Sequence, residues 1–116
     1  MAESSDRLDI LQGTLELMIL RILRWGPQHG HGIATAIRQS SSDAIRIEGG
    51  SLYPALQRLV QERWVEASWG LSANNRRARY YKLTPAGRRQ LVAQESSWAR
   101  LVRAMQLIGK KPVEER

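Results

Sequence analysis

Side chains that can hydrogen-bond to nucleotide bases and neutralise phosphates are concentrated in one part of this 116-residue chain. Residues 63–89 hold seven arginines and lysines against one glutamate, which is +6 of the chain's net charge of +7. Just before them, residues 51–62 are expected to form a helix with a polar outer side. The residues on that side are Ser51, Tyr53, Pro54, Gln57, Arg58 and Gln61. Because hydrogen-bonding side chains on a helix can read base edges in the major groove, the pattern predicts a DNA-binding protein.

A polar stretch rich in arginine follows this helix and is expected to form the loop of a β-hairpin. Apolar residues alternate with polar ones from Val65 onward and again up to Leu83, which predicts two strands. The loop between them is expected over residues 70–78. Its arginines would hold phosphates or enter the minor groove, which provides affinity more than sequence choice. The residues assigned to these contacts, within a wing over 74–79, are Asn75, Arg76, Arg77 and Arg79.

The outer side of the helix at residues 51–62 has a second explanation. Two glutamines and one arginine are also what a solvated amphipathic helix presents, and taken alone this helix is better explained that way. The basic hairpin that follows it changes the balance, because a helix and a basic hairpin together form the winged-helix arrangement. We therefore interpret the pair as a DNA-binding unit. A winged-helix module that binds RNA or protein is the alternative.

Two earlier helices are expected to support this unit. Apolar residues at three- and four-residue spacing predict a helix over about residues 8–25, which Gly26 and Pro27 would end. A short second helix is expected after the turn QHGHG, followed by an extended segment with the sequence AIRIEGG. Ser51 is then expected to cap the third helix, with Pro54 in its first turn.

The last helix is expected to begin at Thr84 and Pro85 and to run past Arg100 towards Gly109. Its apolar stripe has little left to cover once the small core has closed, so we expect a second copy of the chain to cover it. The expected interface residues are Leu91, Trp98, Leu101, Val102, Met105 and Ile108. Packing of this helix back onto the first helix is the alternative.

These elements predict a mainly α-helical fold with a small β-hairpin, a winged helix-turn-helix followed by a long C-terminal dimerisation helix. The DNA-binding domain is expected over residues 8–84 and the dimerisation helix over 85–109. The homodimer would place two copies of the helix at residues 51–62 about one DNA turn apart on a palindrome-like site.

Five segments of the chain resemble, in this order, the PadR family of bacterial transcriptional regulators, over residues 8–108. They are LQGTLELMILRIL, GPQHGHGIATAI, GGSLYPALQRLVQERWVEASWG, RRARYYKLTPAGRRQL and SSWARLVRAM. The resemblance implies a dimeric repressor of the compact type, with one C-terminal dimerisation helix. It also implies that recognition-helix positions are occupied by Ser51, Tyr53, Pro54, Gln57 and Arg58, and that residues 75–79 make the wing contacts. His31 departs from the family, which more often has tyrosine there, and leaves the contacts of that turn open.

Trp98 has two interpretations. In some regulators that resemble this chain, a tryptophan at the matching position lines a pore between the protomers where flat aromatic compounds stack. A large aromatic residue in a heptad pattern is more often part of dimer packing, and packing is the favoured interpretation. The alternative function is a small-molecule sensor that binds a phenolic or planar aromatic ligand near Trp98 and releases DNA in response.

Composition argues against several other classes of protein. The chain has no cysteine, and His29 and His31 have no neighbouring carboxylate, so no metal site and no cofactor are expected. We find no nucleophile elbow and no phosphate-binding glycine loop, and therefore expect no enzymatic activity. The apolar run LELMILRIL is too short to cross a membrane, and the polar N-terminus does not match a signal peptide. A cytoplasmic protein is expected.

Overall fold

The computed structural model describes residues 12–110 and 112. Within these residues, four helices and three strands follow one another. They are α1 (Gln12–Leu23), β1 (Gln28–His29), α2 (Gly30–Ser40), α3 (Gly49–Gln61), β2 (Val65–Leu71), β3 (Arg77–Leu83) and α4 (Pro85–Ile108). The predicted fold class is confirmed, since the chain is mainly helical with a small antiparallel sheet. The expected start of the first helix, at residue 8, lies outside the described residues.

The sheet has three strands rather than the two of the predicted hairpin. β2 and β3 form the hairpin, with Val65 opposite Leu83 and Leu71 opposite Arg77. β1 adds a third strand along the other edge of β3. Pairing continues to the last residue of β2 and the first residue of β3, so the loop spans residues 72–76 and not the expected 70–78. Arg77 therefore lies on a strand, where the pleat fixes the direction of its side chain.

One hydrophobic core is built from the inner faces of α1, α2 and α3 and from the base of the hairpin. Its most completely buried side chains belong to Ile19, Leu20, Leu23, Ile33, Leu52, Leu56, Leu59 and Val65. Tyr81, Leu83 and Leu91 close the core on the side of β3 and α4. Burial of these apolar side chains is the main stabilising contribution and holds α3 against α1 and α2.

The starts of α2 and α3 differ from those expected. α2 begins inside the sequence QHGHG, because His29 accepts a hydrogen bond from the Gly32 amide and caps the helix. α3 begins at Gly49, two residues before the expected cap, so Ser51 lies in its first turn. Pro54 consequently lies inside α3 and not in its first turn.

α4 begins as predicted. Pro85 is its first residue, and the Thr84 hydroxyl accepts a hydrogen bond from the Gly87 amide at 2.9 Å. The same hydroxyl donates to the Arg63 carbonyl at 2.7 Å, and the Thr84 amide donates to the Trp64 carbonyl at 3.1 Å. A Cβ atom on Gly87 would overlap that Trp64 carbonyl oxygen, so only glycine lets α4 begin so close to the turn between α3 and β2. These contacts fix where α4 leaves the core.

Most of α4 extends beyond the core. Leu91 is buried within its own chain, whereas the apolar residues further along α4 are exposed. Leu91, which was expected at a dimer interface, packs instead into the core of its own chain, because this first part of α4 still lies against that core. Arg21 of α1 and Arg24, just after the end of that helix, hold Glu95 of α4 at 2.9 and 3.3 Å. Among the described residues, no helix is both long and apolar enough to cross a membrane.

Candidate nucleic-acid interface

α3 presents a polar face to solvent and an apolar face to the core. Leu52, Ala55, Leu56 and Leu59 point inward and anchor the helix. The outward side carries five exposed residues of the predicted set, which we call the reading face: Ser51, Tyr53, Pro54, Gln57 and Gln61. No part of the described chain covers this face. It offers amide and hydroxyl groups of the kind that hydrogen-bond to base edges.

Arg58 has a different environment from the one expected. Its Nε donates to Oε2 of Glu16 at 2.7 Å, and both side chains are partly buried between α3 and α1. The guanidinium therefore lies at the border of the reading face, with its charge largely matched by a carboxylate of its own chain. We leave Arg58 out of the reading face, because its first role in this fold is to tie α3 to α1.

Tyr53 is positioned by close packing against the start of α2. A Cβ atom placed on Gly30 would come within 2.7 Å of the Tyr53 ring and its hydroxyl oxygen. The absence of a side chain at Gly30 therefore makes room for the tyrosine, whose side chain is about half exposed. Tyr53 thus bridges the two helices of the helix-turn-helix and remains open to a ligand on the outer side.

The hairpin has two chemically distinct faces. Because side chains alternate along a strand, Trp69 and Leu71 of β2 share one face with Arg77 and Arg79 of β3. This face turns towards Tyr53, and we call the space between them the wing cleft. At the loop, Asn75 adopts a left-handed conformation with φ of 59°, and hydrogen bonds between Ser72 and residues 75 and 76 close the turn.

The opposite face of the hairpin is braced by contacts within the chain. Lys82 lies 3.8 Å from Glu66, so its charge is paired on the side away from the cleft. The Tyr80 hydroxyl donates to the Leu71 carbonyl at 3.0 Å, and the Tyr80 ring packs over Gly70. The His29 ring meets the Tyr80 ring edge-on at 5.5 Å, which links β1 to the hairpin. These contacts brace the hairpin internally and tie it to β1.

The wing cleft is strongly positive. It encloses about 550 Å³ between the start of α2, Tyr53 and the hairpin, and no carboxylate is among the described residues that line it. Arg76, Arg77 and Arg79 make no ion pair within the described part of the chain, unlike Arg21 and Arg24. Burial raises the pKa of the Tyr81 hydroxyl above its ordinary value, an effect that Arg79 partly offsets, so this group stays neutral and leaves the positive charge intact.

Two residues near the interface were not singled out for it by sequence reasoning. Trp69 was expected only as a strand residue, yet its side chain is 58% exposed and lines the wing cleft. The alternation of apolar residues shows which residues lie on the same face of a strand. It does not show where the sheet extends past the core and leaves that face exposed. His31 is exposed and lines the same cleft. Within the described residues, no cluster of side chains could hold a metal ion.

A second candidate site lies on the exposed length of α4. Apart from Leu91, every residue expected at the dimer interface is exposed there: Trp98, Leu101, Val102, Met105 and Ile108. A groove of about 380 Å³ runs between α1 and α4, with Leu17, Trp98 and Leu101 among its lining residues. The Gln94 side-chain oxygen is buried in this region and accepts no hydrogen bond from the described residues.

The arrangement of helices, hairpin and long final helix matches that of known proteins. Residues 19–93 match the model of the transcriptional regulator PadR-like family. Protein X of Lysinibacillus sphaericus, described as uncharacterised, is 29% identical over 93 residues, which are 80% of this chain and 85% of that protein. An uncharacterised 37.1 kDa protein in a Streptomyces fradiae transposon is 40% identical over 86 residues, or 74% of this chain. The chain spans only 23% of that longer protein.

Solved structures agree with the family model. A PadR-like transcriptional regulator from Bacillus cereus is 26% identical, with a TM-score of 0.74, and the match covers 87% of this chain and 97% of that one. The family model itself covers both helices of the helix-turn-helix, the hairpin and the start of α4. Regulators of this family act by binding DNA and are not enzymes. The resemblance inferred from the sequence is thus confirmed: the chain belongs to the PadR family of transcriptional regulators.

Proposed function

We propose that this protein is a homodimeric, sequence-specific DNA-binding repressor. The reading face of α3 enters the major groove, and the arginines of the hairpin hold the flanking phosphates. Repression is the mode of regulation that the family resemblance implies. Because a repressor must reach bacterial DNA, the proposed location of the protein is the cytoplasm.

One observation carries this proposal. An uncovered polar helix face lies beside a cleft whose three arginines have no carboxylate partner among the described residues. Leaving several positive charges unpaired in one place is electrostatically unfavourable in the free protein, and a polyanion relieves it. Major-groove contacts from the helix and phosphate contacts from the hairpin are the two kinds of contact that a DNA duplex requires.

The exposed apolar stripe of α4 supports the dimer. Leu101, Met105 and Ile108 are each at least half exposed, and they follow one another along one side of the helix. Exposed apolar side chains in such a continuous stripe are typical of an interface, and a twofold pair is the commonest arrangement. Two α3 helices related by that axis would address two half-sites about one helical turn apart.

Footprinting on the DNA upstream of the protein's own gene tests this function. The proposal expects a protected site with twofold symmetry and binding that resists competition by unrelated duplex DNA. Gel-shift competition with RNA of the same sequence distinguishes the alternative of an RNA-binding module. Equal, weak binding to every duplex, or stronger binding to RNA, contradicts the proposal.

A small-molecule sensor function is a second candidate, and the groove between α1 and α4 favours it. Trp98 offers an aromatic surface there, and the buried Gln94 oxygen lacks a donor among the described residues. A flat aromatic ligand that carries a hydroxyl would stack on the ring and donate to this oxygen. Such a ligand would lower the affinity for DNA only if it bound the DNA-free dimer more tightly than the DNA-bound one.

Tryptophan fluorescence titrated with phenolic and planar aromatic compounds tests the sensor function. The chain contains four tryptophans, so the Trp98→Ala variant is the necessary control. Saturable quenching in the wild type that disappears in the variant supports the sensor. Absence of quenching, or equal quenching in both proteins, rejects it and leaves the DNA-binding proposal unaffected.

A further inference from the structure

Trp69 is an exposed aromatic residue in direct contact with an arginine of the wing. The guanidinium carbon of Arg77 lies 4.6 Å from the centre of the Trp69 ring, within the range of a cation–π interaction. Trp69 lies opposite Arg79, which makes Arg77 the diagonal neighbour of Trp69 on the same face of the hairpin. Diagonal neighbours are close enough for long side chains to reach each other. Both residues line the wing cleft.

This contact restricts Arg77 without occupying its hydrogen-bonding groups. A guanidinium is planar, and when one face stacks on a ring, the N–H groups at its edge remain free for a phosphate. An arginine without such a contact must lose side-chain freedom when it binds, and that loss weakens association. Arg77 loses much of this freedom in the free protein, because Trp69 already holds it.

The three arginines of the wing differ in this respect. Of these three arginines, Arg77 stacks its guanidinium on an aromatic ring, whereas Arg76 and Arg79 have no such partner among the described residues. The chain also contains a comparable pair outside the cleft, Arg24 over the Trp25 ring at 5.5 Å. Arg24 is paired with Glu95 as well, so its charge is already matched.

We propose that Trp69 is a positioning residue for DNA binding, which holds the Arg77 guanidinium ready to contact a backbone phosphate. This inference rests on the proposed DNA-binding function and adds to it a residue that does not itself supply charge or read bases. It separates two properties of the wing. The number of phosphates neutralised depends on the arginines, whereas the affinity gained from each depends on how well the arginine is ordered beforehand.

A double-mutant cycle between Trp69 and Arg77 tests the proposal. Trp69→Leu, Arg77→Gln and the double variant are titrated with the footprinted duplex over a range of salt concentrations. We expect Trp69→Leu to weaken binding about two- to tenfold per wing, the usual effect of ordering one long side chain, with an unchanged salt dependence. In the Arg77→Gln background the same substitution should have no further effect, because the residue through which it acts is gone. Trp69→Phe should retain most of the affinity.

Two controls separate this role from a structural one. Trp25→Leu removes the comparable pair outside the cleft and should leave the affinity unchanged. Thermal unfolding followed by circular dichroism should give similar midpoints for the wild type and Trp69→Leu, since Trp69 is exposed. NMR order parameters of the Arg77 Nε–H in the DNA-free protein provide an independent readout and should fall in Trp69→Leu.

Three results overturn the inference. They are an unchanged affinity in Trp69→Leu, a loss that persists in full in the Arg77→Gln background, and an Arg77 side chain that is equally mobile with and without the tryptophan. Failure of the proposed function looks different, because the wild type itself would then show no preference for any duplex.

Discussion

Replacing Arg77 by glutamine should change the salt dependence of DNA binding by a calculable amount. A cation that contacts a phosphate releases a counterion, so each contact contributes about 0.9 to the slope of log affinity against log salt concentration. Arg77 lies in the wing cleft without an ion-pair partner among the described residues, so its whole charge is available for this exchange. Arg77→Gln should therefore lower the slope by about 0.9 per protomer and about 1.8 for the dimer.

This slope difference translates into a large change in relative affinity. For a dimer that loses two contacts, the ratio of wild-type affinity to Arg77→Gln affinity for DNA should fall about twelvefold between about 50 and 200 mM salt. The loss should be similar for every duplex, because phosphates carry no sequence information. Fluorescence anisotropy with a labelled duplex at four or five salt concentrations measures both quantities.

Lys82→Gln is the matched control for this prediction. It removes the same charge from the same strand, but Lys82 is paired with Glu66 on the face away from the cleft. The slope should change by much less than in Arg77→Gln. Equal slopes for the wild type and Arg77→Gln, or a larger change in Lys82→Gln, would refute the assignment of the cleft face to the phosphate backbone. A change in base preference in Arg77→Gln would mean that the roles of the hairpin and α3 had been confused.

Three further substitutions, one of them with a matched control, test other parts of the structure. Gly30→Ala should displace Tyr53 and weaken DNA binding, while the unfolding free energy changes by less than about 1 kcal/mol; electrophoretic mobility shift and thermal unfolding report the two effects separately. Gly87→Ala should lower the free energy of unfolding by about 3 kcal/mol or more in a denaturant titration, because its Cβ would overlap a backbone carbonyl. Gly50→Ala, with open space around it, should leave the free energy of unfolding nearly unchanged in the same titration. Met105→Glu should convert the dimer into monomers in sedimentation velocity, and a monomeric wild type would contradict the proposed interface.

Features governed by short-range chemistry could be predicted from the sequence. The start of α4 is such a case, because a threonine followed by a proline offers both a hydrogen-bond cap and the fixed φ of a first helical turn. The side of α3 that faces solvent was also predicted, apart from Arg58, since helical periodicity fixes which residues share a side. The start of α3 was placed two residues too late, because Gly49 and Gly50 were interpreted as a turn although both are part of the helix.

Features that depend on contacts distant in sequence could not be predicted. β1 consists of two residues, too few for an alternating pattern, and forms only because β3 lies beside it. Arg58 lies at the border of the reading face, and its ion pair depends on Glu16, 42 positions earlier in the chain. Leu91 shares the heptad stripe of α4, but periodicity does not show where a helix leaves its own core. The same limit explains why Trp69 was expected only as a strand residue.

Photo-crosslinking from α3 shows whether the reading face lies against DNA. A photoreactive amino acid at position 57, in the middle of the reading face, should crosslink to bases within each half-site of the footprinted duplex. The same group at position 68, on the exposed outer face of the hairpin, should give little or no product. Crosslinks from position 68 with none from position 57 would show that DNA lies against a different surface and would disprove base reading by α3.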